Sequence, residues 1–429
     1  MAKSDLGSLL RALDRADRLG RRQFLRFMLA AGAGTLGVAG LAGCRAEEEM
    51  PTAPVAPATA TAASAATTAA TPVPTAAMTP AATPAAAPEI DVLSVAGYEP
   101  NPDKWKGRRI VITDFGGAMR DVWRTVAYQP FSQLTGAEIV EDSSDTGKLR
   151  AQVDSGNVEW SVSQIGTFQM LLLGRQGYLE EIDYSVVDKT DFLPGVAAQW
   201  GVAALYWSTI LAYREETYGS NIPQGWKDFW DVERFPGARG LYKTVPVPNV
   251  EFALIADGVP KDQVYQVLRS EGGIDRAFAS LDRIKPHITV WWDAGAQPPQ
   301  LLADGELDMC SAWNGRIDAV QREGAKIGIQ WNEGQITTDS FVIPKGAPNR
   351  DVAMDFINFV TRPEVQARMA MLIPYGPVNQ RSFSALSPEL VSRLPSSPEL
   401  HQKQFERDLD FWLEHQEAVT ERWNSWLLG

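Results

Sequence analysis

The chain has 429 residues, a formal charge of −13, 45% hydrophobic side chains and 22% charged ones. An acidic body of this kind disfavours nucleic acid and anionic membrane surfaces as partners. Two cysteines (Cys44, Cys310) and three histidines without ligand spacing (His287, His401, His415) exclude a disulfide framework and a Cys- or His-based metal site.

The first segment reads as an address. Leu19 to Arg26, LGRRQFLR, resembles a twin-arginine export signal, with Arg21 and Arg22 paired ahead of Phe24 and Leu25. The run from Phe27 to Leu41 is modestly apolar and too short for a bilayer span, which takes ~20 apolar residues. It ends in Leu41-Ala42-Gly43-Cys44, which is similar to a bacterial lipobox. That resemblance implies cleavage before Cys44 and acyl chains on it, enough to hold the protein on the outer face of the cytoplasmic membrane. Residues 1–44 carry seven Lys/Arg and three Asp, so their removal takes the charge from 40 − 53 to 33 − 50, or −17. Residues 45–104 are mostly Ala, Thr and Pro after a Glu47–Glu49 patch. They lack apolar periodicity and predict a disordered linker.

The folded body then alternates strand and helix. Arg109 to Thr113 reads as a strand running through Asp114 and Phe115 into Gly116-Gly117. Met119, Val122, Trp123, Val126 and Phe131 follow at helical spacing. Glu138–Val140 is a second strand, Lys148–Val153 a helix, and Val158–Ile165 a third strand leading to Gly166-Thr167-Phe168. The glycine pair matches neither G-x-G-x-x-G nor a P-loop, so nucleotide binding is not expected and no cofactor is implied. Leu205 to Tyr213 is a long β-rich run without a turn residue, long enough to pass between two lobes.

A second alternating unit runs from Gly240 to about Glu333, and its densest part is Ile288 to Arg316. There the strand Ile288–Trp292, a turn at Asp293–Ala296, a helix over Pro298–Asp304 and the strand Leu307–Ala312 lead into Trp313-Asn314-Gly315-Arg316. Trp292, Asp293, Trp313 and Asn314 thus stand at the carboxyl ends of strands, where open α/β sheets bind ligands. Cys310 inside the apolar strand reads as a small buried hydrophobe. Asp339–Pro344 is a strand that begins with polar groups, and Asp351–Val360 is an amphipathic helix. Ile373–Asn379 is a rigid loop, and helices around Phe411, Trp412, Trp423 and Trp426 finish the chain.

Phe115, Gly166-Thr167, Trp313-Asn314-Gly315, Asp339-Ser340 before Ile343-Pro344, and Tyr375-Gly376-Pro377-Val378-Asn379 occur in an order that carries a resemblance. From about Trp105 onward the chain is similar to extracellular solute-binding proteins of polyamine-type ABC importers. The resemblance implies an α/β, type II periplasmic-binding-protein fold: two lobes joined by a two-strand hinge. By analogy the first lobe takes 105–211 and 338–384, and the second takes 212–337 and 385–429. The hinge strands fall near Leu205–Tyr213 and Gln335–Asp339.

The resemblance further implies that Asp339 pairs with a ligand ammonium, that Trp313 forms an aromatic wall and that Tyr375 lines the cleft. Phe115, Thr167 and Phe168 occupy positions where the family has lining residues. A ring face contributes ~0.5–2 kcal/mol to an alkylammonium, and a buried carboxylate is tolerated when the ligand neutralises it. The implied partners are a small amine such as putrescine or spermidine and the permease subunits of an ABC importer. A monomer is expected.

The chain departs from the family in three places. Where two acids three residues apart are usual, only Glu251 is acidic, and Asp293 is the candidate replacement. Thr337 stands where the family has a Trp beside the acid, and Arg316 brings a positive charge close to the W-N-G motif. A solute with one amine and one carboxylate, such as 4-aminobutyrate, therefore competes with the polyamines. The rival class is an exported hydrolase using Asp293, Asp304 and Asp339. It lacks a nucleophile–base motif.

Overall fold

The computed structural model describes residues 91–429; Arg21, Arg22, Cys44 and the linker up to residue 90 lie outside the described residues. Strands β1 (Arg109–Asp114), β2 (Glu138–Ser143) and β3 (Val162–Gly166) are parallel neighbours in the order β2-β1-β3. The short β4 (Ala197–Ala198) turns back onto β5 (Gly201–Arg214). Strands β6 (Arg239–Tyr242), β7 (Ile288–Trp292) and β8 (Met309–Trp313) form a second parallel set, β8-β6-β7. Finally β9 (Ile327–Val342) returns antiparallel along β5, and β10 (Phe405–Glu406) pairs with its middle.

The two parallel sets never touch each other directly. They are joined through β9 and β5, in the strand order β2-β1-β3-β9-β5-β8-β6-β7. Strand β5 can do this because Val202 to Arg214 contains no Gly or Pro and is buried almost throughout, as a central strand requires. Its first half pairs with 335–341 of β9 and its second half with 327–330. Thr209 faces Gln335 while Leu211 already faces Gln330, so residues 331–334 leave the ladder where the strands change halves. Within that bulge Glu333 adopts φ 63°, and its carbonyl accepts a hydrogen bond from Trp226 Nε1 at 2.9 Å.

Each half has its own core. Ile110, Ile112, Trp123, Phe131, Phe341 and Phe356 fill the first. The second holds Trp226, Phe229, Phe252, Trp412 and Trp423, with Trp292, Leu307 and Cys310 in a smaller cluster under β8. The C-terminal helix Leu409–Leu428 closes the second core through Phe411, Trp412 and Trp423.

Three boundaries read from the sequence are corrected. The linker does not extend to 104: Val95 and Tyr98 are buried in the first core, and Tyr98 donates to Asp355 Oδ1 at 2.9 Å. Trp105 Nε1 and Lys104 also reach Asp355. A single anchoring tyrosine has no periodicity to reveal it. The segment after 385 does not change halves at once, because Leu386 and Leu394 pack on Ala367 and Ala370. The third strand starts at Val162 instead of Val158, since Trp160 turns inward and donates to Asp142 at 2.9 Å. No helix among the described residues is long and apolar enough to cross a membrane.

Candidate functional site

The carboxyl ends of both parallel sets face one cleft. On the first side β1 ends at Asp114, which is fully buried and held by Arg120 Nε (2.7 Å), Tyr128 Oη (2.9 Å) and the Gly116 amide (2.7 Å). That knot turns the next residue, Phe115, outward with 58% of its surface exposed. Strand β3 ends at Gly166. Thr167 then bonds Thr338 and Ser340 across the sheet, hydroxyl to hydroxyl, at 2.7 Å each.

On the second side β8 ends at Trp313, and the following Asn314 ties it to the hinge. Asn314 Oδ1 accepts from the Ser208 amide (2.9 Å), and its Nδ2 donates to the Pro374 carbonyl (3.0 Å). Gly315 is required by space: a Cβ there would lie 2.5 Å from a ring carbon of Tyr375. The W-N-G motif is thus a wall, a tie and a gap. Trp313 packs edge-on to Trp207 (5.8 Å between centroids) and Trp292 (5.6 Å), with Tyr242 at 6.2 Å.

Asp339 lies at the floor. Its Oδ1 accepts from Trp207 Nε1 at 3.1 Å and its Oδ2 from Gln164 Nε2 at 3.4 Å. Gln164 is in turn oriented by Trp123 Nε1 on its oxygen (2.9 Å). Both donors are neutral, and no cation is in ion-pair reach among the described residues. Burial therefore raises the carboxyl to about 7, with the two hydrogen bonds and the charge of Arg407, beyond ion-pair reach, pulling the other way. Trp207 faces Thr337 directly in the β5–β9 register. The ring absent at 337 is supplied by the neighbouring strand.

Arg407 was not foreseen from the sequence. It follows β10, lines the same cavity as Asp339, and spends Nε (3.2 Å) and Nη2 (3.1 Å) on Gln335 Oε1. It has no acidic partner among the described residues, and burial lowers its basicity while Glu251 and Asp339 raise it. A guanidinium remains protonated there and offers a flat fork for a carboxylate.

The cleft has two compartments that share Phe115, Trp207, Trp313 and Asp339 as a common wall. One, of ≈ 560 Å³, holds Thr167, Phe168, Tyr242 and Arg407; the other, of ≈ 320 Å³, holds Tyr375 and Arg316. Both volumes suit a small molecule. Phe168 is only 8% exposed and packs into the second core, so it is a wall from behind more than a free ring. Burial pushes the Tyr375 hydroxyl up to about 12.

Two expected site residues lie elsewhere. Glu251 is fully buried behind the cleft, where its Oε1 accepts from Tyr265 Oη (2.8 Å), Trp412 Nε1 (2.8 Å) and Gln335 Nε2 (3.3 Å). Helix Asn249–Ala256 is apolar on every side and carries the acid inward with it. Asp293 sits outside the cavity lining and pairs with Lys243 Nζ at 2.8 Å, so it adds no negative charge to the cleft. The carboxylate that does join Asp339 in the lining is Asp145, whose Oδ1 caps the helix Thr146–Ser155.

Residues 127–395 match the family model of bacterial extracellular solute-binding proteins. The γ-aminobutyric acid-binding protein of Pseudomonas aeruginosa is 37% identical over 324 residues, 75% of this chain and 91% of that protein. The chain belongs to the bacterial extracellular solute-binding proteins. The structure of an ABC transporter substrate-binding protein from Bradyrhizobium japonicum superposes with TM-score 0.70 at 38% identity, covering 75% of this chain and 99% of that one. The spermidine/putrescine-binding periplasmic protein of Escherichia coli is 31% identical over 62% of this chain and 77% of its own length. The protein is therefore the extracytoplasmic substrate-binding component of an ABC transporter and not an enzyme. Arg407 lies beyond the stretch covered by the family model, and within the sequence it is one arginine before a helix cap. No spacing singled it out.

Proposed function

We propose that the solute is a small ω-amino acid of the 4-aminobutyrate type, with its ammonium at Asp339 and its carboxylate at Arg407. The observation that carries this reading is Arg407: a guanidinium without an acidic partner in the same compartment as a carboxylate without a cationic one. A diamine would meet that arginine with its second charge. Of the acids expected beside Asp339 for a polyamine, Glu251 is buried behind the cleft and Asp293 is paired with Lys243, and the lining acid that remains, Asp145, is engaged as a helix cap. The γ-aminobutyric acid-binding relative, at 37% identity, supports the same choice. Trp207, Trp313 and Phe115 supply ring faces for the ammonium, and Thr167 and Tyr242 line the same compartment as the two charges.

The solute would then pass to the permease of the transporter. We read Arg21-Arg22 and Cys44 as export signal and lipid attachment, so that the body works from a tether on the membrane. Isothermal titration of 4-aminobutyrate, putrescine and spermidine tests the ligand. Micromolar 4-aminobutyrate binding with both polyamines at least tenfold weaker is expected, and the reverse order rejects it. For the anchor, Cys44→Ser should move the protein from the membrane to the soluble fraction.

A further inference from the structure

The compartment on the far side of Asp339 is left unused when 4-aminobutyrate spans Asp339 and Arg407 as proposed above. It is ≈ 320 Å³ in size and shares Asp339, Trp207, Trp313 and Phe115 with the first compartment. Its own walls are largely apolar, from Met119, Leu205, Ala319 and Ile373, and three polar side chains of its own line it: Gln164, which donates to Asp339, Arg316 and Tyr375. Arg316 is exposed and has no acidic side chain in ion-pair reach among the described residues. The acid closest to it on its helix, Asp318, is consumed by Arg322 and Arg393. No acid other than Asp339 lines that compartment. Asp339 therefore stands on the wall that divides the two compartments, with an unpartnered guanidinium on either side of it, while the other lining acid, Asp145, belongs to the first compartment alone and caps a helix.

We infer that the cleft accepts an amine carrying two arms: a secondary ammonium at Asp339, one carboxylate-ended arm toward Arg407, and a second arm across apolar walls to an anion at Arg316. This rests on the ω-amino acid reading of the first compartment and adds the substituent on nitrogen. A secondary ammonium keeps two N–H donors, so it still reaches the Asp339 carboxylate while its two carbons diverge into the two compartments. Methylenes suit the Met119, Ala319 and Ile373 side, and a terminal carboxylate gives Arg316 the partner the chain does not provide. Tyr375, beside the gap that Gly315 leaves, bounds the second arm.

Three probes separate the possibilities: 4-aminobutyrate, N-propyl-4-aminobutyrate and N-(2-carboxyethyl)-4-aminobutyrate, titrated into the protein and into Arg316→Gln. The two-armed dicarboxylate should bind at least tenfold more tightly than 4-aminobutyrate, with the propyl compound in between. In Arg316→Gln the ratio of the dicarboxylate to the propyl compound should fall to about one, with an unchanged thermal midpoint reporting intact folding. Binding weakened tenfold by either substituent, or a ratio that survives Arg316→Gln, overturns the inference while leaving 4-aminobutyrate as the ligand. A dicarboxylate that binds when 4-aminobutyrate does not supports the inference and rejects the simpler ligand. Failure of all three rejects both.

Discussion

Two carboxylates in this protein are held in nearly the same way and have opposite situations. Asp339 accepts from an indole (Trp207) and a glutamine amide (Gln164). Glu251 accepts from an indole (Trp412), a glutamine amide (Gln335) and a tyrosine hydroxyl (Tyr265). Burial raises both carboxyls. The difference lies in what each faces: Asp339 opens on a solute-sized cavity, while Glu251 is closed off by helices and touches that cavity only through Gln335 and Arg407. Hydrogen-bond chemistry alone does not make a binding residue. An acid becomes one when its missing counter-charge can arrive from solvent.

The sharpest way to break the comparison is to neutralise the open member. Asp339→Asn should weaken 4-aminobutyrate by at least about 100-fold, since losing one partner of a desolvated charge pair costs roughly 2–5 kcal/mol. The unliganded thermal midpoint at pH 8 should hold or rise, because an uncompensated carboxylate has gone. A variant that still binds within tenfold ends the assignment.

The pH dependence follows from the same group. Asp339 holds its proton more tightly folded than unfolded, so its contribution to stability is present at acid pH and is lost as pH climbs toward about 7. An ammonium needs the ionised form. Affinity should therefore fall roughly 30-fold between pH 8 and pH 5.5, about tenfold per unit below 7, and Asp339→Asn should abolish that slope. Titration below 7 should also release a proton, seen as a buffer-dependent enthalpy.

Arg407→Met should cost a smaller factor, roughly ten- to thirtyfold for 4-aminobutyrate, as expected for one charge-assisted pair of ~1.5–2 kcal/mol. The same change should leave putrescine no weaker than before. Equal losses for both ligands would mean that Arg407 supports the fold of the cleft and not the carboxylate.

The smallest effect is expected at the closed member. Glu251→Gln keeps an acceptor for Tyr265 and Trp412, so 4-aminobutyrate affinity should stay within about threefold. Its unliganded stability should lose less than wild type as pH rises from acid to neutral, because burial raises the Glu251 carboxyl. A hundredfold loss of binding would return Glu251 to the site.

The legible parts of the molecule were those with a period or a motif. Strand–helix alternation marked both parallel sets, and the turn-free run Leu205–Tyr213 marked the strand that joins them. Phe115, Thr167, Trp313, Asp339 and Tyr375 are expected at the cleft from the family resemblance that their motifs carry, and all of them border the cavity. Tertiary facts were not legible. Glu251 stands where the resemblance implies an acid facing the ligand, yet its helix is buried on nearly every face and takes the side chain inward. Asp293 stands at a strand end as expected, but Lys243, fifty residues away in sequence, takes its charge. Trp207 is not singled out within the β-rich run Leu205–Tyr213, and only the β5–β9 register places it opposite Thr337. Arg407 reaches the cleft because β10 docks on β9 at Gln335, a pairing no local pattern announces.

The central claim is that the floor of the cleft reads two opposite charges on one small solute. Parallel titrations with 4-aminobutyrate, butylamine and butyrate at pH 8 test it most directly. The account predicts tight binding of 4-aminobutyrate alone, with butylamine and butyrate each weaker by at least about tenfold. If either truncated compound matched 4-aminobutyrate, one of the two charges would be unread and the pairing of Asp339 with Arg407 would be wrong.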